Sequence, residues 1–271
     1  MTDAPQHIVD SYEQVMPGCF LGVPNQKYHD TEGISKTNTC DLDRSVAHYI
    51  LSKQYPMKQT DPMLKGSAFH DLCLLPDFYY SHYKVCPLKG KATKGYKAMA
   101  DEFPDSDVLT AGMAQDVNEM HEAVMKNPTM KEVLGSESTL REVSIWATDP
   151  DTGLLLKIRP DIIYNGVIFD LKTTIAPHPK AFIHSVWDYK YQVQSAFYQY
   201  VAGLLGMTID NFIFLCVGSK PPYLTAIYDL NDDLVEEGDA FFRRALLRYK
   251  TYLESDDKWD GLECGRELVT L

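Results

Sequence analysis

The sequence has no Cys-x-x-Cys pair, no surplus of basic residues and no long apolar run. Each lack narrows what it encodes. Six cysteines (Cys19, Cys40, Cys73, Cys86, Cys216 and Cys264) stand singly along 271 residues, which argues against a zinc ribbon, an iron–sulfur cluster or a disulfide framework. They are expected to be reduced thiols of a cytoplasmic protein. No stretch approaches the roughly 18 apolar residues of a membrane span, so no membrane partner is expected. Residues 1–10 hold two acids and no Lys or Arg, which is not the pattern of a secretory signal. With 11% aromatic residues and 17 tyrosines, the chain is too apolar to be disordered throughout. The formal net charge of −12 argues at first sight against nucleic acid, whose phosphates call for Lys and Arg.

What is present is a change of pattern near the middle. Residues 1–27 show no period and contain Pro5, Pro17 and Pro24, so an irregular N-terminal arm is expected. Helical spacing follows over 41–52 and 66–75, and over most of 92–134, where Val108, Met113, Val117, Met120 and Val124 recur every three to five residues. Residues 140–147, 154–163 and 167–173 are β-rich, and Asn165-Gly166 is a strong hairpin signal. A helix over 189–205, strands over 212–217 and 223–230, and a helix over 232–253 complete the chain. The expectation is one α/β domain over 28–271: a central mixed sheet with a three-strand antiparallel meander, flanked by helices, with a helical insertion at about 92–134.

The densest polar constellation lies on that meander. Arg159-Pro160-Asp161 closes its second strand, and Asp170-Leu171-Lys172 lies on the third. Asp170 and Lys172 are two apart and share a strand face, in a run otherwise fit for a core. A hairpin at Asn165-Gly166 brings Asp161 beside Asp170. Such a set reads either as a partly buried Asp–Lys pair with Asp161 capping a turn, or as a site for a hard cation. The upstream Pro-Asp and the hairpin between favour the cation, Mg²⁺ or Mn²⁺ rather than zinc, because oxygen donors predominate. Glu142 on the first strand adds a carboxylate or is merely solvated. His70, four residues after Gly66, reads as a core histidine as readily as a ligand. Gln194 and Tyr198, at i and i+4, share a helix face.

Gly66-x-x-x-His70, Pro160-Asp161, Asp170-x-Lys172 and Gln194-x-x-x-Tyr198, in that order, resemble the RecB-type branch of the PD-(D/E)XK nuclease superfamily. The segments 169–174 and 191–198 are most similar to RecE-like exonucleases, and the likeness covers about residues 28–250. The resemblance implies a Mg²⁺-dependent exonuclease that degrades linear double-stranded DNA from its 5′ end to expose single strands for recombination. It implies Asp161, Asp170 and the Leu171 backbone carbonyl as metal ligands, completed by His70, with Glu142 as an outer carboxylate. Lys172 would position and activate the attacking water, and Gln194 and Tyr198 would contact the DNA end or brace the site. It also implies a ring-shaped homotetramer and cooperation with a single-strand annealing protein. Where many superfamily members carry Glu, this chain has Asp170, as the RecE-like pattern permits.

Other classes remain on the table: an endonuclease on the same core, and a DNA-binding or assembly module with a decayed site. The charge, taken by position, no longer opposes DNA. Residues 78–100 hold Lys84, Lys89, Lys91, Lys94 and Lys97 without one acid, interleaved with Tyr79, Tyr80, Tyr83 and Tyr96. The acid surplus falls largely in 101–140 and 229–271. The lysine-rich block reads either as a solvated loop or as a phosphate-tracking strip with stacking partners.

Overall fold

The computed structural model describes residues 17–258, apart from 56, 89 and 257. In chain order it runs β1 (Gly18–Phe20), α1 (Asn25–Asp30), α2 (Lys36–Arg44), α3 (Val46–Gln54), α4 (Asp61–Leu74), α5 (Pro76–His82), β2 (Lys84–Cys86), α6 (Lys94–Glu102), β3 (Val108–Thr110), α7 (Ala111–Lys126), α8 (Pro128–Gly135), β4 (Leu140–Arg141), β5 (Ser144–Thr148), β6 (Leu155–Ile158), β7 (Ile162–Tyr164), β8 (Val167–Thr174), α9 (Pro179–Tyr189), α10 (Tyr191–Leu204), β9 (Asn211–Gly218), β10 (Thr225–Asp229) and α11 (Asp232–Glu254). Five strands form the central sheet in the order β10-β9-β8-β7-β4, with β8 and β9 parallel and the other pairs antiparallel.

The two middle strands are buried on both faces, and their alternation sorts side chains into two cores. Ile168, Phe212, Phe214 and Cys216 point into the first, against α2, α3, α9, α10, α11 and the sheet β1-β5-β6. Phe169, Leu171, Leu215 and Val217 point into the second, against α4, α5, α7 and α8. Phe69, Phe197, Phe212, Phe214 and Phe242 are wholly buried, each contributing on the order of 1.5–3 kcal/mol. The helical spacing read over 92–134 is that of the second core, since Val117, Met120 and Val124 are fully covered.

The expected meander is present, but its first two runs are each broken. Between β4 and β5, Glu142 adopts a left-handed conformation (φ 51°), and between β6 and β7 Pro160 offers no N–H to a ladder. The breaks face each other, and the Glu142 N–H donates to the Asp161 carbonyl at 3.0 Å. There the hairpin bends. Its outer half pairs as β5-β6 with β1, and its inner half stays in the central sheet as β4 and β7. The helix expected over 41–52 is also two, because Ser45 is extended and caps α3 by accepting from the His48 N–H at 3.2 Å. Helix α9 was not anticipated.

The expected irregular arm is corrected in part. Residues 1–16 lie outside the described residues, but Gly18–Phe20 pairs with β5 and the Phe20 ring meets Trp146 edge-on at 5.7 Å. Lys157 on β6 fixes the next segment. Its ammonium donates to the carbonyls of Tyr28, His29 and Thr31, at 2.9, 3.2 and 2.6 Å, and so closes the end of α1. The segment 92–134 contains, besides helices, the strand β3 paired in parallel with β2. Among the described residues five cysteines are free thiols, and no helix is long and apolar enough to cross a membrane. Cys264 falls outside.

Candidate active site

The turn between β7 and β8 fixes the site. Asn165 and Gly166 both take positive φ (49° and 77°), as a two-residue hairpin turn requires. The register pairs Ile162 with Phe169, so the next residues outward, Asp161 and Asp170, face one another. The Leu171 N–H donates to Asp161 Oδ2 at 2.8 Å. Asp170 is only 3% exposed. Gln194 Nε2, from α10, donates to its Oδ1 at 2.5 Å, and the Lys172 ammonium forms an ion pair with its Oδ2. The shared strand face and the shared helix face expected from the sequence therefore meet at Asp170.

Burial governs the electrostatics, and the crowding of carboxylates adds to it. Burial, then the Asp170 charge, pushes the Asp161 carboxyl up to about 6, although His70, Lys172 and the Leu171 N–H oppose the rise. Burial and Asp161 push Glu142 up to about 8 against the pull of Arg159. Burial works against the Lys172 ammonium, but Asp170 and Asp161 outweigh it and hold its pKa above the ordinary lysine value. Lys172 is therefore a charged donor at neutral pH. Its Nζ also sits 4.9 Å from the centroid of the Tyr191 ring.

The remaining sequence candidates divide. His70 Nδ1, from α4, lies 3.4 Å from Asp161 Oδ2. The Tyr198 hydroxyl is held well above its usual pKa by burial and then by Tyr28, Asp170, Asp161 and Glu142, so it lies within electrostatic reach of the carboxylates, while its ring meets Phe212 edge-on at 5.8 Å. Glu142 is beside the site, but its Oε2 is engaged by Arg159 Nε at 2.7 Å. Of the lysine block, Lys89 lies outside the described residues. Lys84 bonds the Ser81 carbonyl at 2.6 Å, Lys91 pairs with Asp61 at 2.7 Å, and Lys94 and Lys97 are exposed on α6. Two of the tyrosines read as stacking partners are core residues: Tyr79 and Tyr83 are buried, and Tyr83 bonds Asp71 at 2.7 Å. Tyr96 bonds the Val108 carbonyl at 2.6 Å, which leaves Tyr80, 71% exposed.

Sequence reasoning passed over three neighbours. Arg159 clamps Glu142 and also donates to the Val23 carbonyl at 2.6 Å. Tyr191 lies against the Lys172 ammonium, and Lys36 at the start of α2 is within electrostatic reach of Lys172 and Asp170. Arg159 precedes the Pro-Asp motif and was the one within reach of a local reading; Lys36 carries no signal in the sequence.

Among the described residues no three His, Cys, Asp or Glu side chains converge as a ready metal cage. The carboxylates are paired instead with Lys172 and His70. The donor types nonetheless fit a hard divalent ion. Asp161 and Asp170 repel one another across the hairpin, and Asp170 Oδ2 is buried with the Lys172 ammonium as its partner. Asp161, Asp170, His70 and the Leu171 carbonyl are the groups that would hold it.

A mixed sheet carrying an Asp…Asp-x-Lys hairpin, with a supporting Gln from the following long helix, defines a PD-(D/E)XK-type domain. The chain belongs to the family described as "PDDEXK-like domain of unknown function (DUF3799)", whose model matches residues 35–266. Among solved structures, it is similar to one from Eubacterium rectale described as a "putative exonuclease". The TM-score is 0.57 and the identity 15%, over 84% of this chain and 86% of that one, which shows a shared fold. A phage related exonuclease from Haemophilus somnus 129PT overlaps 75% of this chain and 98% of its own, at 14% identity. Its TM-score of 0.33 is too low to carry an argument. A search of curated proteins finds no match. The superfamily resemblance seen in the motifs is borne out by the family, and the RecE-like likeness agrees with it.

Proposed function

We propose that the protein is a divalent-metal-dependent deoxyribonuclease that degrades linear double-stranded DNA from its ends, 5′ to 3′, using Mg²⁺ or Mn²⁺. The observation that supports this most is the hairpin pairing of Asp161 with Asp170, with Lys172 charged beside them. A divalent ion bound there supplies two things: it lowers the pKa of a water, and it offsets charge at the phosphate. Asp161 and Asp170 hold their carboxylates fixed, one by the Leu171 N–H and the other by Gln194. Lys172, a permanent ammonium, orients the attacking water and stabilises the charge that builds on the phosphoryl oxygens. Tyr198 braces the buried side of the site.

The described sheet and both cores support reading 28–271 as one nuclease domain, with the exposed Lys94 and Lys97 and neighbouring lysines tracking the duplex backbone. A ring-shaped homotetramer and cooperation with a single-strand annealing protein in recombination follow from the motif resemblance, and a cytoplasmic setting from the singly scattered cysteines. Sedimentation as a stable monomer would remove the ring. The deciding experiment is digestion of linear duplexes labelled at the 5′ or the 3′ end, with and without Mg²⁺, beside covalently closed circles. Metal-dependent release from the 5′ label with intact circles is expected. Cutting of the circles would make the protein an endonuclease, and no cleavage of any DNA would overturn the reading.

A further inference from the structure

Beyond the carboxylates, a run of aromatic rings leads from the site to the surface. Against the Lys172 ammonium lies the Tyr191 ring. Tyr191 stacks inward on Phe214, with centroids 5.3 Å apart and planes 29° apart, and outward on Tyr189, at 5.7 Å and 25°. Tyr189 is 63% exposed. A single exposed tyrosine needs no explanation, but this one ends a stack that begins at the proposed catalytic lysine.

Two cations flank it. Lys36 donates to the Tyr189 carbonyl at 2.5 Å, at the C-terminal end of α9. Lys190 follows in a left-handed conformation (φ 55°) at the joint between α9 and α10. That backbone is unfavourable for a residue with a Cβ, and it holds the Tyr189 and Tyr191 rings on one side of the joint. Burial lowers the Lys36 pKa; Lys172 and Lys190 lower it further, against the opposing pull of Cys40 and Asp170. So Lys172 and Lys190 both lie within electrostatic reach of Lys36, with the Lys190 ammonium 5.9 Å from the centroid of the Phe241 ring, in a chain whose net charge is −12. Rings in series with a cation surplus match unstacked nucleotides, whose bases stack and whose phosphates need neutralising.

Resting on the nuclease reading, we propose that Tyr189 is a stacking platform for the nucleobase next to the scissile phosphate, with Lys36 and Lys190 facing the phosphates of that nucleotide. The occupant is a single-stranded stretch of DNA entering or leaving the site. Tyr189 acts by position and takes no part in proton transfer.

The test pairs protein and DNA deletions. Wild type, Tyr189→Ala and Tyr189→Phe are assayed for binding in EDTA and for single-turnover cleavage in Mg²⁺. The substrates are linear duplexes carrying one abasic site, walked across the two positions on either side of the cleaved linkage. Wild type should lose about tenfold in affinity when one particular base is missing. Tyr189→Ala should lose about as much on intact DNA and nothing further at that position, whereas Tyr189→Phe keeps the wild-type pattern. Lys190→Asn, which tolerates the left-handed backbone, should reduce the salt slope of binding by about one. Independent losses, or a Tyr189→Ala protein equal to wild type on intact DNA, would overturn the platform and leave the nuclease reading standing. A sedimentation change in Tyr189→Ala would instead make Tyr189 a contact between copies. Wild type inert on every DNA would remove the nuclease reading and the platform together.

Discussion

Gly238→Ala pits two physical effects of opposite sign. Within a helix the exchange ordinarily stabilises by about 1 kcal/mol, because alanine has less backbone freedom to lose. Gly238 lies in α11 where it crosses α10. A Cβ built there would stand 2.2 Å from the Gln192 carbonyl oxygen, 2.5 Å from the carbonyl carbon and 3.0 Å from the Val193 nitrogen. All three are backbone atoms, so no side chain can swing aside. The helices must part by about 1 Å, and overpacking of this kind costs roughly 1–3 kcal/mol, here near the upper end. The expected net effect is about 2 kcal/mol of destabilisation, a fall in Tm of about 4–8 °C. The shift also reaches the site, because Gln194 is two residues along α10 and holds Asp170 at 2.5 Å. Calorimetry and single-turnover cleavage well below Tm should both register the change. A Tm equal to or above wild type would refute the close crossing and the argument from it.

Lys172→Ala should lower cleavage at least a thousandfold while binding of linear duplex in EDTA changes little; retained cleavage would sink its role. Lys157→Met removes three hydrogen bonds from a charged donor and leaves the carbonyls of Tyr28, His29 and Thr31 bare, which should cost about 2–3 kcal/mol in a denaturant titration. Asp161 and Glu142 are raised to about 6 and about 8, so the folded protein binds protons that the unfolded chain has released. In EDTA, stability should therefore fall as pH rises from about 4 through 8, and Asp161→Asn should flatten that slope in thermal melts. Reversing Lys91, Lys94 and Lys97 to Glu should weaken duplex binding and reduce its salt dependence, and an unchanged slope would leave them bystanders.

Residues close in sequence were legible, and residues joined through the fold were not. The Asn165-Gly166 turn sets the register that opposes Asp161 and Asp170, so the hairpin could be built from local rules alone. The i,i+4 spacing placed Gln194 and Tyr198 on one face for the same reason. The bend at Glu142 and Pro160 escaped because each break is weak alone, and the Glu142 N–H to Asp161 carbonyl bond couples them only after pairing. Tyr79 and Tyr83 looked like surface because lysines surround them, yet Asp71 supplies the partner that lets the Tyr83 hydroxyl be buried. Lys36 meets the site from far upstream, and its contact is with a backbone carbonyl, which no residue pattern encodes.

The two carboxylates are read from opposite sides of the sheet. Gln194 arrives on α10, which packs on the first core, and His70 on α4, which packs on the second. The hairpin alone carries Asp161, Asp170 and Lys172, but their partners Gln194 and His70 are both in place only when the two layers of helices are docked at once. The site is thus a coincidence detector for the two halves of the interior. Warming should silence it when either layer loosens, while the strands beneath are still paired.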